Sequence, residues 1–156
     1  MIGSRRYLLE MERSLVLIKP DAVRKNLIGE VIKRFEEDGL RVISLKMLWF
    51  SRKEVQMFYK EHEDKPFYDA LSNYMSSAPI VALVLGGENV IRRTRELIGA
   101  TDPAAADKGT IRADFGESIT VNSVHGSANR ESADTEISFM FSQIEIMDFN
   151  SGIYRR

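Results

Sequence analysis

Cysteine is missing from this chain of 156 residues, and histidine occurs only twice. The first absence excludes a disulfide scaffold, thiolate catalysis and cysteine-rich zinc sites. The two histidines, His62 and His125, stand too far apart in sequence to form a metal-ligand spacing. An excess of one charge is lacking as well: 22 Lys and Arg against 23 Asp and Glu leave a net charge of −1. There is no global basic field to attract nucleic acid or an acidic membrane surface. No apolar run approaches the roughly 18–20 residues that span a bilayer. The basic pair Arg5-Arg6 precedes no apolar stretch of signal-peptide length. Glycine-rich signatures are absent too. There is no G-x-x-x-x-G-K-[ST], no G-x-G-x-x-G and no G-x-S-x-G, which sets aside P-loop kinases, dinucleotide-binding folds and nucleophile-elbow hydrolases.

What is present is an ordinary globular composition, 44% hydrophobic and 29% charged. The length fits one domain with a sizeable core. Residues 1–10 are expected to be an N-terminal extension, non-native or disordered, with Met11 as an alternative start and 11–156 as a single domain.

Hydrophobic periodicity gives the order of elements. Leu15-Val16-Leu17-Ile18 reads as a strand buried on both faces, broken by Lys19-Pro20-Asp21. Ile28, Val31, Ile32 and Phe35 recur at helical spacing, and Asp38-Gly39 ends that helix. Residues 41–50 read as a second strand. Ser51 with Glu54 forms a capping box for a helix that carries Val55, Phe58, Tyr59 and His62 on one face. Pro66 ends that helix, and Phe67, Leu71, Tyr74 and Met75 at helical spacing give a second short helix that completes a helical hairpin. Residues 80–85 are the third strand, and Val90 to Ile98 another amphipathic helix. A long loop, 99–116, carries little apolar periodicity, and loops of that length are often functional. Residues 118–124 are expected to be the fourth strand and 129–141 the last helix, with Ile144 to Phe149 a short final segment. The scheme is βαββαβ with a helical-hairpin insertion and a long loop before the last strand. It fits a ferredoxin-like α+β sandwich: a four-stranded antiparallel sheet with helices covering one face.

The chemistry converges on Asn122-Ser123-Val124-His125-Gly126-Ser127. A histidine among small polar residues at the end of a β-type run can be a phosphate-accepting nucleophile, a general base or a buried structural residue. His62, flanked by Glu61, Glu63 and Asp64, reads as a partly exposed residue among solvated charges. Elsewhere the chain offers Lys19, Tyr59, Arg95, Thr101, Arg112 and Asn122 at strand ends, on helices or in the long loop. Arginine presents forked donors and lysine a compact charge, as a polyphosphate requires. Phosphoryl transfer needs positioning, charge stabilisation and an aligned nucleophile. His125 can be that nucleophile, with Glu136 fixing its tautomer through the other ring nitrogen.

Five stretches carry a family resemblance: Ile18-Lys19-Pro20-Asp21-Ala22-Val23, Leu27-Ile28-Gly29-Glu30-Val31-Ile32, Lys65-Pro66-Phe67, Gly109-Thr110-Ile111-Arg112-Ala113-Asp114-Phe115 and the His125 motif. In order and spacing, over about Arg13 to Asp148, the chain resembles nucleoside diphosphate kinases, bacterial members in particular. The resemblance implies γ-phosphoryl transfer from a nucleoside triphosphate to a nucleoside diphosphate by a ping-pong route, with His125 phosphorylated and Ser127 and Glu136 orienting it. It implies phosphate and ribose contacts from Lys19, Tyr59, Arg95, Thr101, Arg112 and Asn122. It implies base stacking on Phe67, beside Leu71 and Ile119. Broad base tolerance follows, because every base has a π-face. It further implies Mg²⁺ held by nucleotide phosphates and water without direct protein ligands, and a homo-oligomer, tetramer or hexamer, with the long loop near subunit contacts. A cytoplasmic location is expected, with no membrane or nucleic-acid partner.

Two positions depart from the family pattern. Ala128 stands where most members have aspartate, with altered helix capping or metal-shell detail expected. Lys108 stands where many have proline, so a less rigid loop is expected. A non-catalytic nucleotide-binding module and a ferredoxin-like nucleic-acid binder are the competing readings. The intact His125 and Glu136 count against the first, and the pI of about 6.2 and the missing RNP1-type motif against the second.

Overall fold

A computed structural model describes residues 11–147. The expectations for residues 1–10 and for the end of the chain past Met147 lie outside the described residues. The first strand, β1 (Arg13–Ile18), is followed at once by a short helix, α1 (Pro20–Arg24), with proline at its first position and Lys19 as N-cap. Helix α2 (Ile28–Glu37) ends as expected at Asp38-Gly39, where Gly39 takes φ +82°. Strand β2 (Arg41–Leu48) stops two residues before the expected end. The Ser51–Glu54 capping box opens α3 (Arg52–Phe58). That helix is shorter than its pattern implied: Tyr59 is its C-cap, and His62 belongs to a separate 3-10 turn, Lys60–His62. Helix α4 (Tyr68–Met75) completes the hairpin, with Phe67 just ahead of it. Strand β3 (Ile80–Gly86) leads to α5 (Val90–Ile98).

The region read as a long structureless loop contains a 3-10 turn, Pro103–Ala105, and a helix, α6 (Ile111–Phe115), capped by Thr110. Five residues are too few for apolar periodicity to declare a helix. The fourth strand is also corrected. It is β4 (Val124–Gly126), and residues 118–123 approach it as irregular chain. Ser123 explains the late start. It holds φ +75°, a left-handed conformation that no ladder accommodates. The last helix, α7 (Arg130–Met140), and a 3-10 turn, Gln143–Glu145, follow.

The sheet order is β2-β3-β1-β4, antiparallel throughout. The two central strands are the two most apolar runs. Leu15 to Ile18 and Ile80 to Leu85 are buried along their whole length, so both sheet faces are covered. This corrects the expectation of helices on one face. At Gly126 a Cβ would lie 2.7 Å from Ile98, so that face carries α5. The neighbouring His125 points to the opposite face, where Phe58 of α3 and Glu136 of α7 meet it.

Gly99 caps α5 with φ 90° and ψ 179°. That region is open to glycine alone. A Cβ there would also lie 2.4 Å from Thr110 Oγ1, the atom that caps α6. The carbonyl of Gly99 accepts from Arg112 Nη1 at 3.1 Å. Gly99→Ala is therefore expected to lower unfolding free energy by about 1–3 kcal/mol, read by urea denaturation. Wild-type stability in the variant would contradict the assigned backbone.

Candidate active site

Strand β4 is three residues long and is held to β1 by the pairs Val16↔Gly126, Leu17↔His125 and Ile18↔Val124. The pairing continues just beyond the ladder. Ser127 N donates to the Leu15 carbonyl at 3.1 Å, and Leu15 N donates to Ser127 Oγ at 3.0 Å. Ser127 Oγ donates in turn to Glu136 Oε1 at 2.8 Å. The other carboxylate oxygen, Oε2, lies 2.9 Å from His125 Nε2. An ionised carboxylate only accepts, so Nε2 carries the proton. The Nδ1 atom has no hydrogen-bond partner among the described residues. Phe58 and Tyr59 meet the imidazole edge-on, with centroids at 5.7 and 6.0 Å. The ring is thus held by a hydrogen-bonded carboxylate on one side and aromatic edges on the other.

The cations enter from several elements. Lys19 Nζ donates to Asn122 Oδ1 at 2.7 Å and to the Thr120 carbonyl at 3.4 Å. Asn122 Nδ2 donates to the Thr101 and Ile119 carbonyls at 2.9 and 2.8 Å. One buried amide therefore joins Lys19, the start of the long loop and the approach to β4. Arg112 Nη1 and Nη2 hold the Gly99 and Val124 carbonyls at 3.1 and 2.9 Å. Arg95 is exposed, and its side chain has no hydrogen bond or ion pair among the described residues. With Thr101, Arg112, Ala128, Arg92 and Arg130 it lines a cavity of about 770 Å³.

The charges are costly where they stand. Burial, with the Arg112 guanidinium nearby, lowers Lys19 to a pKa of about 7, and the Asp21 carboxylate opposes the shift. Burial and the Arg95 charge lower Arg112 to about 10. Burial and the Glu136 carboxylate raise the Tyr59 hydroxyl above its ordinary range, so it stays neutral. Tyr59 Oη and Arg112 Nε are buried without a hydrogen-bond partner among the described residues. Orphaned polar atoms are rare in interiors and call for an explanation.

Of the residues expected at a base site, Phe67 and Ile119 are 45% and 61% exposed, while Leu71 is only 8% exposed and belongs to the core. His62 is partly exposed among acidic side chains, as expected, with Nε2 3.7 Å from Glu61 Oε1, and it also takes part in a ring contact that the sequence did not show. Its ring stacks on Tyr59 with centroids 6.1 Å apart and lies 5.6 Å from Phe67. Phe67, His62, Tyr59 and His125 form a file of rings from the exposed surface to the imidazole. The acidic neighbours of His62 masked this in sequence, and its four-residue distance from Pro66 was the only local signal. The helix that follows Ala128 has a side-chain cap. Asn129 is the N-cap of α7, accepting from Ser132 N at 2.8 Å, and Ala128 is an exposed wall of the cavity. Lys108 is exposed in a turn closed by Thr110 N and the Asp107 carbonyl.

The family model described as nucleoside diphosphate kinase matches residues 12–146. The nucleoside diphosphate kinase of a Nitratiruptor species is 53% identical over 137 residues, 88% of this chain and 100% of that protein. That of Persephonella marina is 49% identical over 140 residues, 90% of this chain and 100% of that protein. Among solved structures, the Aquifex aeolicus nucleoside diphosphate kinase superposes with a TM-score of 0.86 at 42% identity, covering 88% of this chain and 100% of that one. A halophilic nucleoside diphosphate kinase from Halobacterium salinarum in complex with CDP gives a TM-score of 0.86 at 38% identity, covering 89% and 93%. The match spans the strand, hairpin, loop and histidine segments that build this site, and the chain belongs to the nucleoside diphosphate kinase family, enzymes that transfer a γ-phosphoryl group from a nucleoside triphosphate to a nucleoside diphosphate.

Proposed function

We propose that the transfer runs in two half-reactions through a phosphohistidine at His125. The observation that carries this reading is the Ser127–Glu136–His125 relay, which commits Nε2 as a donor and leaves the Nδ1 lone pair without a partner. In the first half, that lone pair forms a P–N bond as the bond from Pγ to the β,γ-bridging oxygen breaks and a nucleoside diphosphate leaves. Positive charge grows on the ring, and Glu136 offsets it through the Nε2 proton. In the second half, a terminal oxygen of the acceptor diphosphate attacks phosphorus, and the P–N electrons return to the ring. The enzyme regains its starting state.

Lys19, Arg95, Arg112, Thr101, Asn122 and Tyr59 are assigned to the phosphates and ribose. The shared cavity lining of Arg95, Thr101 and Arg112 and the Lys19–Asn122 hydrogen bond support this. Phe67 and Ile119 offer apolar surface to a base, and buried Leu71 would act from beneath. A base held by its face alone supports broad base tolerance. Among the described residues no group of three or more His, Asp or Glu side chains converges, so a divalent cation, taken as Mg²⁺, fits best on the phosphates and water. Bound there it neutralises charge on the leaving and transferred oxygens.

The strand order and antiparallel pairing support the ferredoxin-like description. The family match over residues 12–146 supports one domain from residue 11 onward. Strand β2 is a sheet edge, and Leu45, Met47 and Trp49 are exposed along and just past it. An edge with an apolar row invites pairing, which supports a homo-oligomer, tetramer or hexamer. Among the described residues no helix is long and apolar enough to cross a membrane, and we take the cytoplasm as the site of action.

Incubation with radiolabelled ATP and Mg²⁺ is expected to give an acid-labile, alkali-stable phosphoprotein that GDP discharges, and His125→Ala is expected to give none. Equal labelling of His125→Ala would remove the phosphohistidine from the mechanism. Phe67→Ala is expected to weaken nucleotide binding by about 1–3 kcal/mol in calorimetric titration. Unchanged affinity would remove Phe67 from the base site.

A further inference from the structure

Asp21 is buried, 5% exposed, yet it contacts no cation within ion-pair distance among the described residues. One of its carboxylate oxygens accepts from the Tyr74 hydroxyl of α4. The other accepts from Ser123 Oγ at 3.2 Å. Its own amide donates to Tyr74 Oη at 3.2 Å. Two neutral hydroxyls are weak compensation for a buried carboxylate. The position therefore calls for another reason.

That reason is the pair of residues it faces. Ser123 is the left-handed residue that turns the chain into β4, and its carbonyl accepts from Lys19 N at 2.8 Å. Lys19, two residues before Asp21, is buried and hydrogen-bonded only to neutral acceptors, Asn122 Oδ1 and the Thr120 carbonyl. From α6 it faces Arg112, whose charge repels it, with Arg95 beyond. Tyr74 of α4 contacts Asp21, and the Arg24 charge of α1 acts on Tyr74. Asp21 supplies the opposing negative charge.

We propose that Asp21 is a positioning residue of the phosphate site: it clamps the Ser123 turn to the start of α1 and keeps Lys19 charged before nucleotide arrives. The proposal rests on the reading of Lys19 as a phosphate-binding group. Lys19 in the free enzyme loses its proton as pH rises through about 7. Removing the Asp21 charge removes the interaction that favours the ammonium, so the loss begins at lower pH. Once nucleotide is bound, phosphate oxygens hold the proton. The effect therefore belongs to kcat/KM, which reports the free enzyme, and not to kcat.

The test is the pH profile of kcat/KM for ATP in wild type, Asp21→Asn and the double variant Tyr74→Phe/Ser123→Ala. The last strips the hydroxyls from Asp21 but keeps its charge. Asp21→Asn is expected to move the alkaline limb down by about one pH unit, the low end for loss of a nearby opposite charge. The kcat profile is expected to stay in place. The double variant is expected to keep the wild-type limb, and it tests the charge argument even if Asp21→Asn does not fold. A uniform loss at every pH in Asp21→Asn, or a displaced limb in the double variant, would overturn the proposal. Labelling of His125 in Asp21→Asn separates the two readings. Label with an unmoved limb contradicts the role of Asp21 alone, whereas absence of label in wild type contradicts the two-step reaction.

Discussion

The pairing of β4 with β1 is the constraint on which the site depends. Three residues cannot hold a strand conformation alone, and Val124 to Gly126 do so only because a fully buried strand presents its free edge. That edge sets the direction of every side chain that follows. Leu17 opposite His125 sends the imidazole to the face of α3 and α7, while Gly126 leaves room for Ile98 on the other face. Since side chains alternate along a strand, a slip of one residue would exchange these two positions. The Leu15–Ser127 hydrogen bonds guard against that slip, and Ser127 passes the constraint to Glu136. His125 is thus positioned by the core itself and not by a loop.

The electrostatics depend on the same frame. Lys19 leaves β1 and Asn122 approaches β4, so the two ends of one strand pair bring together a cation and the amide that receives it. Arg112 ties the frame to the long loop by holding the Gly99 and Val124 carbonyls. Neither cation is ion-paired among the described residues, and burial lowers the proton affinity of both, with Asp21 opposing the shift at Lys19. A polyphosphate restores the missing charge. The site is therefore organised for a ligand richer in negative charge than anything the protein supplies.

Much of this was legible locally. The apolar runs 15–18 and 80–85 declared the central strands, and Ser51 with Glu54 declared a helix start, because burial on both faces and capping are written in consecutive residues. The pairing of His125 with Glu136 was legible through motif and resemblance. What failed depended on distant contacts. The start of β4 is set by the left-handed Ser123 and by pairing with β1, neither of which shows in residues 118–124. Helix α6 is too short to display a period. The stacking of His62 on Tyr59 and its tilted contact with Phe67 join residues that no sequence period relates. Leu71, placed beside the base by resemblance, is buried, a property that its own segment does not reveal.

The central claim is that Glu136 commits one ring nitrogen of His125 and thereby selects the other for phosphorus. It is tested most directly by assigning the phosphorylated nitrogen in the native phosphoprotein through ¹⁵N and ³¹P NMR of histidine-labelled protein. The account predicts phosphorus on Nδ1 with a proton retained on Nε2. Phosphorus on Nε2 would contradict it, because that atom is the one held 2.9 Å from the carboxylate.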